Sequence, residues 1–440
     1  MHTNRRTFIK SAAAVGSLPL FNIGVSGASP NEKVNHASFG ANGMAWSDIN
    51  SLSFSDHFNL VAVAEIDPSR TGNVKKKFPK AKIYSDWREL LDKEHKNLDS
   101  VNVSTPDHMH APIGMSAMNH GLHVYGQKPL AHEVYECRRM AEVAAEKKLV
   151  TQMGIQLSSG NYERMCVKMI HGGAIGKVKE VHTFSNKKWG DMNPKPDRED
   201  PVPEGMDWDK WCGVAPKTPY IKGYYHPGQW RKRLDYGTGT LGDMGCHIYS
   251  PMYRSLGVTA PLSILATGPK PNKDNWAINA QYEYIFPGTE FTDGDTIKVT
   301  WYDGDARPAA EVAALVGGKV PGQGNIFIGT KGVLLYPHGG RAKLYPEEDF
   351  TEYKFPKFPA RDHYMDFIKA VRGEEVKPIA DFVTYSGPLT ETILLGGVAA
   401  HFPNQKLEWD QKNLAFKNSK QANGLLRRDY RKGWEVDNLS

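Results

Sequence analysis

The fold is decided by the stretch Val34-Asn35-His36-Ala37-Ser38-Phe39-Gly40-Ala41-Asn42-Gly43-Met44-Ala45. Its first six residues have the composition of a buried strand. The residues after them occupy the place of the Gly-x-Gly-x-x-Gly turn, in which backbone N–H groups and a helix N-terminus hold a pyrophosphate. Asn42 replaces the second glycine and Ala45 the third, and both are acceptable because asparagine tolerates positive φ and alanine is small. The candidate contacts of this turn are Gly40, Asn42, Gly43 and Met44.

A second predicted strand, Leu60 to Ala64, ends in Glu65-Ile66-Asp67. An acid about twenty residues beyond the glycine turn binds a ribose hydroxyl in dinucleotide-binding domains. Asp67 before Pro68 also has the pattern of a helix start, with the aspartate as N-cap and the proline in the first turn. We therefore assign the ribose contact to Glu65. An acid here disfavours a 2′-phosphate, so NAD is expected rather than NADP, although the nearby Arg70 leaves NADP open.

Further strands and helices alternate up to about residue 157. Strands are predicted at Ala81–Tyr84, Leu98–Val103, the apolar run that ends at Gly126, and Val150–Gly154, with helices at 111–120 and 132–147. Six strands separated by helices are typical of a doubly wound parallel sheet. Residues 31–157 are therefore predicted to form an α/β domain that binds a dinucleotide.

Polar residues follow the fourth and fifth strands, at the sheet edge where open parallel sheets bind ligands. Lys128, in Gln127-Lys128-Pro129, can reach a reacting hydroxyl while its stem lies along apolar neighbours. Burial would lower its pKa and suit it to proton transfer. The alternative is a surface lysine before a proline turn. His110 is either a cofactor contact or an ordinary residue of a helix start. The further cofactor contacts expected from these strand ends are Ser104, Thr105, Pro106, His110, Gln127, Lys128 and Gln156.

A second domain is predicted over residues 158–440, where separated runs alternate between apolar and polar residues. The runs are Lys177–Lys187, Ser263–Gly268, Ala277–Phe286, Thr296–Tyr302 and Asn325–Gly329. This alternation is typical of a half-buried antiparallel sheet. The loop 190–235 is long and rich in aromatic residues, which favours a functional role over disorder.

The stretch from Tyr236 to His247 closes this loop and is predicted to enter a helix at Ile248–Leu256. Asp243 and His247 are four residues apart, so they share a helix face if the helix begins early enough. A carboxylate beside an imidazole raises its pKa and fixes its orientation, as a general base at a carbinol carbon requires. The structural alternative is an N-cap aspartate and a packed histidine. No third ligand stands at useful spacing, so no metal site is expected.

The composition is that of a soluble globular protein long enough for two domains. Of 440 residues, 40% are hydrophobic and 24% are charged. The net charge of +6 is small for this length, and no dense stripe of Lys and Arg interleaves with aromatics, so nucleic acid is not an expected partner. The four cysteines lie far apart, which excludes a thiol-rich metal site and argues against a disulfide framework.

The first thirty residues have the pattern of an export signal. Asn4-Arg5-Arg6-Thr7-Phe8-Ile9-Lys10 precedes a weakly apolar run from Ser11 to Leu20 and small residues around Ser26 to Ser29. The paired arginines resemble the twin-arginine signal, which exports folded proteins. The apolar run is too short to span a membrane. We expect a periplasmic protein; the alternative is a frayed basic tail.

The order of these motifs resembles that of the Gfo/Idh/MocA oxidoreductases, relatives of glucose–fructose oxidoreductase and inositol dehydrogenase. The resemblance is carried by the leader, the glycine turn, Glu65-Ile66-Asp67, Ser104-Thr105-Pro106-Asp107-His108-Met109-His110 and Gly126-Gln127-Lys128-Pro129. The family's Gly-x-x-x-Asp-x-Gly-x-His element is matched by Gly239, Asp243, Gly245 and His247. Its usual Glu-Lys-Pro is Gln-Lys-Pro here, which leaves Lys128 without an adjacent carboxylate. The resemblance spans roughly residues 34 to 435.

The resemblance implies an N-terminal NAD-binding Rossmann domain. It also implies a C-terminal α/β domain with a large, mostly antiparallel open sheet and C-terminal helices that pack back. In this family the aspartate and histidine of the second domain stand opposite the lysine of the first, which makes Lys128, Asp243 and His247 the candidate catalytic residues. The candidate sugar contacts are Trp189, Trp230, Arg231 and Tyr236.

The resemblance implies three possible functions. The leading one is an NAD-dependent sugar oxidoreductase with tightly held NAD and a small carbohydrate as substrate. The second is a glycosidase that oxidises a ring carbon, eliminates the aglycone, adds water and reduces the ketone again; export favours it, because free NAD is scarce outside the cytoplasm. The third is a sugar-binding protein without activity, which loss of all NAD binding would indicate. A homodimer or homotetramer is expected, because an open sheet face is commonly covered by a second subunit.

Overall fold

Among residues 33–440, which the computed structural model describes, six parallel strands form the first sheet. They are β1 (Val34–Phe39), β2 (Phe58–Ala64), β3 (Lys82–Tyr84), β4 (Ser100–Val103), β5 (His123–Gly126) and β6 (Thr151–Met153). Their spatial order, β3-β2-β1-β4-β5-β6, is that of a dinucleotide-binding doubly wound sheet. The predicted α/β fold is confirmed. The predicted export signal lies outside the described residues.

Helices cover both faces of this sheet. They are α1 (Met44–Leu52), α2 (Gly72–Lys77), α3 (Trp87–Glu94), α4 (His110–Asn119), α5 (Val134–Glu146) and, from the far end of the chain, α10 (His363–Val371). α1 and α10 pack on one face around Ile49 and Phe367, and α3 and α4 pack on the other around Leu90 and Ile113. The predicted N-cap at Asp67 is confirmed, because its Oδ1 accepts from the Ser69 N–H at 3.1 Å.

The second sheet has nine strands within the described residues, in the order β13-β12-β11-β7-β10-β9-β8-β14-β15. They are β7 (Val178–Ser185), β8 (Ser263–Thr267), β9 (Gln281–Pro287), β10 (Thr296–Asp303), β11 (Gln323–Gly329), β12 (Val333–Pro337), β13 (Lys343–Tyr345), β14 (Lys406–Asp410) and β15 (Ala415–Phe416). β7 and β10 are parallel and the other paired neighbours are antiparallel. The expected large, mostly antiparallel sheet is confirmed.

The remaining helices are α6 (Asn161–His171), α7 (Trp208–Cys212), α8 (Gly239–Leu256), α9 (Ala310–Ala314), α11 (Gly387–Ala399) and α12 (Lys420–Asn423). α8 lies on the second sheet, where the ring of Tyr249 is 5.6 Å from that of Tyr284 and 5.8 Å from that of Trp301, between ring centroids. No helix within residues 33–440 combines the length and the apolar character that crossing a membrane requires.

The predicted start of α8 is wrong: the helix begins at Gly239 and not at Ile248. Its first half is rich in glycine, which lowers helix propensity and suggested a loop. Tertiary packing overrides that preference, because nearly the whole helix is buried. A Cβ at Gly245 would lie 3.1 Å from the Cγ2 atom of Ile393 in α11, so the small residue lets the two helices approach closely. The early start is what places Asp243 within a helix.

A buried chain of polar side chains runs along β1 and β4. The ring nitrogens of His36 lie 2.8 Å from Ser100 Oγ and 3.0 Å from Asn102 Oδ1. Asn102 Nδ2 donates to Ser104 Oγ at 2.8 Å, and that hydroxyl donates to Asp48 Oδ2 at 2.8 Å. The chain therefore leads from the interior of the sheet to a fully buried carboxyl on α1.

Burial raises the pKa of Asp48 from 3.8 to about 7, although hydrogen bonds from Ser104, Gln127 and Tyr364 act in the opposite direction. Since the folded state holds the proton more tightly than the unfolded state, this carboxyl lowers the stability of the fold as the pH rises from about 4 to about 7. We predict that wild-type protein loses more unfolding free energy over this range than Asp48→Asn, by up to about 4 kcal/mol. Guanidinium unfolding at both pH values tests this, and equal losses in the two proteins would contradict it.

Candidate functional site

A cavity of about 270 Å³ lies at the carboxyl ends of the first sheet's strands. Its lining includes eight residues that the sequence assigned to the cofactor, namely Gly40, Asn42, Gly43, Met44, Glu65, Ser104, Thr105 and Pro106. Arg70, His226 and Trp211 also line it, and the sequence did not assign them to the cofactor. The glycine turn, the acid after β2 and the loop after β4 therefore converge on one cavity.

The glycine turn packs tightly against the loop after β4 and against α1. Gly40 has φ +101°, and a Cβ there would lie 2.8 Å from Ser104 O and 2.9 Å from the Cβ of Ala45, so only glycine allows this approach. Gly43, with φ +58°, directly precedes α1. The two glycines supply the left-handed conformations of the turn, and Asn42 accepts from the Gly43 N–H through Oδ1 at 2.7 Å.

Glu65 has the position that a ribose contact requires. Its carboxylate accepts from the Ala41 N–H and the Asp67 N–H, each at 3.0 Å, and it faces the cavity. Burial raises the pKa of Glu65, while these two backbone hydrogen bonds and the charge of Arg70 act to lower it. Each carboxylate oxygen has a second lone pair, so the side chain can accept ribose hydroxyls as well. Together with the glycine turn, this carboxylate fits an NAD nucleotide.

A segment of the second domain closes over the same cavity. His226 Nε2 lies 3.1 Å from Asp67 Oδ2, and Trp211 and Trp230 line the cavity from above. The backbone N–H and hydroxyl of Thr238 donate to Asp107 Oδ2 at 3.1 and 2.7 Å, which fixes the start of α8 against the loop after β4. Trp211, His226 and Trp230 of the loop 190–235 thus line the nucleotide cavity, and the functional role predicted for this loop stays a prediction.

Lys128 and Asp243 meet where the two domains face each other. Lys128 Nζ lies 2.8 Å from Asp243 Oδ1 and also donates to the Asp243 carbonyl oxygen at 2.8 Å. Arg231 Nε donates to the same Oδ1 at 3.0 Å. Burial acts to raise the pKa of Asp243, but Lys128 and Arg231 outweigh it and hold that pKa well below its usual value. The surface-lysine alternative is therefore excluded by the geometry.

His247 lies one helical turn beyond Asp243, but the expected carboxylate–imidazole pair does not form. Asp243 is engaged by the two cations, and the expectation of a raised pKa for His247 is wrong. Burial, together with the charge of Lys128, holds the pKa of His247 well below 6.5. The imidazole is therefore neutral at neutral pH.

A second imidazole, which sequence reasoning missed, faces this group. The ring of His338, directly after β12, lies 5.6 Å from the ring of His247 between centroids. Burial and the charge of Lys128 lower the pKa of His338 as well. A histidine in a turn between two short strands carries no spacing signal, so only the folded chain brings it to the site.

Of the four candidate sugar contacts, Trp189, Trp230 and Arg231 lie together at the site and Tyr236 is buried elsewhere. The guanidinium of Arg231 lies 4.2 Å from the ring centroid of Trp230 and 5.4 Å from that of Trp189. Trp189 Nε1 and His247 Nδ1 are buried and have no hydrogen-bond partner among residues 33–440. Tyr236 is 1% exposed and its hydroxyl donates to the Pro216 carbonyl at 3.1 Å, so its assignment as a sugar contact is wrong.

Four predicted cofactor contacts, His110, Gln127, Lys128 and Gln156, have other partners and do not line the cavity. The ring nitrogens of His110 face the carbonyl oxygens of Thr105 and Pro129 at 2.8 and 2.7 Å, so this residue ties two loops together. Gln156 Nε2 donates to the Tyr364 hydroxyl at 3.0 Å. Gln127 Nε2 donates to the Asp48 carboxylate. The polar groups of His110, Gln127 and Gln156 therefore stabilise the residues around the cavity and do not line it.

Solved structures of similar fold include NADH-bound dehydrogenases. The WlbA dehydrogenase of Bordetella pertussis, crystallised with NADH and UDP-GlcNAcA, gives a TM-score of 0.61 at 15% identity, over 86% of this chain and 99% of that chain. An inositol dehydrogenase homologue of Azotobacter vinelandii, with NADH and myo-inositol, gives 0.55 at 18% identity, over 87% and 100%. Similarity at this level of identity shows the fold.

Curated relatives match over a shorter stretch. The levoglucosan dehydrogenase of Pseudarthrobacter phenanthrenivorans is 28% identical over 116 residues, which are 26% of this chain and 29% of that protein. The alpha-N-acetylgalactosaminidase of Shewanella oneidensis is 31% identical over 119 residues, 26% of each protein. The chain thus matches less than a third of the length of these relatives.

Family models cover both domains. Residues 34–155 match the model of an oxidoreductase family with an NAD-binding Rossmann fold, and residues 169–436 match the model of that family's C-terminal α/β domain. The first match contains the glycine turn, Glu65 and Lys128, and the second contains Asp243 and His247. The first domain is an NAD-binding domain, and the protein belongs to the Gfo/Idh/MocA family of oxidoreductases.

Proposed function

We propose that the protein oxidises a ring hydroxyl of a carbohydrate with NAD as the hydride acceptor. The observation that carries the proposal is the position of Lys128, whose Nζ is 2.8 Å from Asp243 Oδ1 at the end of β5 and beside the neutral His247. Arg231 joins this group to the nucleotide cavity, because it hydrogen-bonds Asp243 and lines that cavity. A cation, a neutral base and a dinucleotide cavity are what oxidation of an alcohol requires.

Bound NAD supplies the hydride acceptor. In the proposed step, the hydroxyl proton of the sugar passes to the imidazole of His247 while the C–H hydrogen leaves with its electron pair and a C=O bond forms. The ammonium of Lys128 stabilises the oxygen as negative charge develops on it. Asp243 holds Lys128 in place through the 2.8 Å contact between Oδ1 and Nζ. The rings of Trp189 and Trp230 offer apolar faces for the sugar.

The proposal is tested by identifying the small molecule released from heat-denatured protein and by following the reduced-nicotinamide absorbance when sugars and aryl glycosides are added. Stoichiometric NAD, together with NADH or a keto-sugar formed from the added sugar, supports oxidation. Aglycone release without net NADH indicates a glycosidase that regenerates its NAD. A protein that holds no NAD and cannot be refilled indicates a sugar-binding protein.

Substitution of the candidate catalytic residues is expected to lower turnover without loss of cofactor binding. Lys128→Ala and His247→Ala should lower turnover by at least about 100-fold, because each removes a group that handles the proton or the oxygen charge. Both variants should retain NAD, since neither residue lines the cavity. Lys188→Ala, an exposed lysine paired with Asp305, is the matched control. Rates like the wild type in both variants would contradict the assigned roles.

Glu65→Ala, in contrast, should act on cofactor binding. It should weaken NAD binding by about 1–3 kcal/mol, because a buried charged hydrogen bond to the ribose is lost. Titration with NADH, followed by fluorescence, measures this change. Glu89→Ala, a half-exposed glutamate on α3, should bind NADH like the wild type. An unchanged NADH affinity in Glu65→Ala would remove this residue from the nucleotide site.

A second candidate function is cleavage of glycosides in which NAD is regenerated in every cycle. Two observations favour it: the second domain covers the nucleotide cavity through His226 and Asp67, and His338 is a second neutral base near His247. Once a ring carbon is a ketone, the neighbouring C–H is acidic. A second base can remove that proton while the aglycone leaves. Water then adds, and return of the hydride restores the hydroxyl. One relative is named for a glycosidase activity.

This candidate predicts a specific defect in His338→Asn. Aglycone release from an aryl glycoside should fall by at least about tenfold, because the C–H proton loses its base, while reduction of the bound nicotinamide persists. His171→Asn, which removes an imidazole that stacks on Phe291 on the far side of α6, is the control. Loss of both steps, or of neither, would exclude His338 as the second base.

We also propose that the protein is exported folded by the twin-arginine route. We further propose that the face of the second sheet opposite α8 is the contact between two subunits. That face carries the partly exposed charges of Glu180, Glu283 and Lys298, which suit a polar interface. A chain purified from the periplasm should be at least dimeric in light scattering at micromolar concentration. A monomer, or retention of the chain in the cytoplasm with intact signal, would contradict the respective proposal.

A further inference from the structure

Asp48, in the second turn of α1, is fully buried and accepts four hydrogen bonds. Its Oδ1 accepts from the Tyr364 hydroxyl at 3.0 Å and from Gln127 Nε2 at 3.1 Å. Its Oδ2 accepts from the Ser104 hydroxyl at 2.8 Å and from the same amide at 2.9 Å. A carboxylate has about four lone-pair positions, so all of them are in use. No cation within residues 33–440 forms an ion pair with it.

Gln127 is held from its other side as well. A Cβ at Gly154 would lie 2.4 Å from Gln127 Nε2, so the amide presses against the backbone that follows β6. The Gly154 N–H in turn donates to the Gly126 carbonyl at 2.8 Å. The reverse orientation of the amide would set its oxygen against the Asp48 carboxylate, acceptor against acceptor. The carboxylate of Asp48 therefore fixes which way Gln127 points.

We propose that Asp48 is a positioning residue that acts through Gln127 to fix the turn carrying Lys128. Gln127 and Lys128 are adjacent, so a shift of the amide moves the lysine whose Nζ must lie 2.8 Å from Asp243 Oδ1. The same carboxylate binds Ser104, in the loop after β4, and thereby joins the cavity lining to this turn. The inference rests on the proposed function only for the catalytic role of Lys128.

The role of Asp48 can be tested by exchanging the carboxyl and amide groups of Asp48 and Gln127. Asp48→Asn replaces the carboxyl by an amide and so sets an amide against an amide. Gln127→Glu sets two buried carboxyl groups against each other, so that they must share a proton. The double variant D48N/Q127E restores one carboxylate and one amide in exchanged positions. A pair that acts as a unit is recognised by such a cycle, because the double variant recovers what each single variant loses.

The full-length, NAD-loaded protein is labelled with trinitrobenzenesulfonate, and the label on Lys128 is measured by mass spectrometry of peptides. In both single variants Lys128 should react faster than in the wild type, because its contact with Asp243 loosens, and the double variant should return toward the wild-type rate. Reduction of the bound nicotinamide by substrate should slow by about 10- to 100-fold in the single variants and recover in the double variant.

Asp303→Asn is the matched control, since this buried carboxyl of the second sheet accepts from the Ala280 N–H and from Trp301. It should leave the labelling of Lys128 unchanged. Wild-type labelling of Lys128 in both single variants, or a double variant more impaired than either single one, would overturn the inference. Labelling needs no substrate, so it still decides the role of Asp48 if the wild type fails to oxidise any sugar, a result that would count against the proposed function alone.

Discussion

The ion pair between Lys128 and Asp243 is the interaction on which the site depends. Its two side chains come from different domains and are only 14% and 11% exposed. Loss of one partner of a buried pair leaves an uncompensated charge, at a cost of about 3–5 kcal/mol. Arg231 shares the same carboxylate, so Asp243 balances two cations at once. The charges of the site therefore fix how the end of β5 faces the start of α8, and Asp107 reinforces that contact through Thr238.

This arrangement has two chemical consequences. Asp243 is committed to two cations, and its charge only partly offsets the effects of burial and of Lys128, so His247 stands as a neutral base. The second domain also reaches the nucleotide cavity through His226, which contacts Asp67 of the first domain. A covered cofactor suits reactions that return the hydride within one cycle. The two candidate functions thus share the oxidation of a ring carbon as their first step and differ in the fate of the ketone.

Much of the fold could be predicted from local patterns, because each strand of the six-strand sheet and the glycine turn is recognised from residues that are neighbours in the sequence. Glu65 and Lys128 stand at strand ends, and a parallel sheet brings such ends together. Asp48 could not be found, because its partner Gln127 is 79 residues away and an aspartate in a helix gives no signal of burial. His338 was missed for the same reason. Tyr236 and the start of α8 were misjudged because burial among aromatic rings and between helices overrides local composition.

The central claim is that hydrogen passes from a sugar carbon to NAD held in the cavity beside Lys128 and His247. The most direct measurement uses a substrate deuterated at the candidate carbon in a single turnover, followed by mass spectrometry of the nicotinamide recovered from the protein. We expect deuterium in the nicotinamide ring recovered from the wild type and none in that recovered from Lys128→Ala. Product formed with all of the deuterium retained on the sugar carbon and none recovered in the nicotinamide would contradict it.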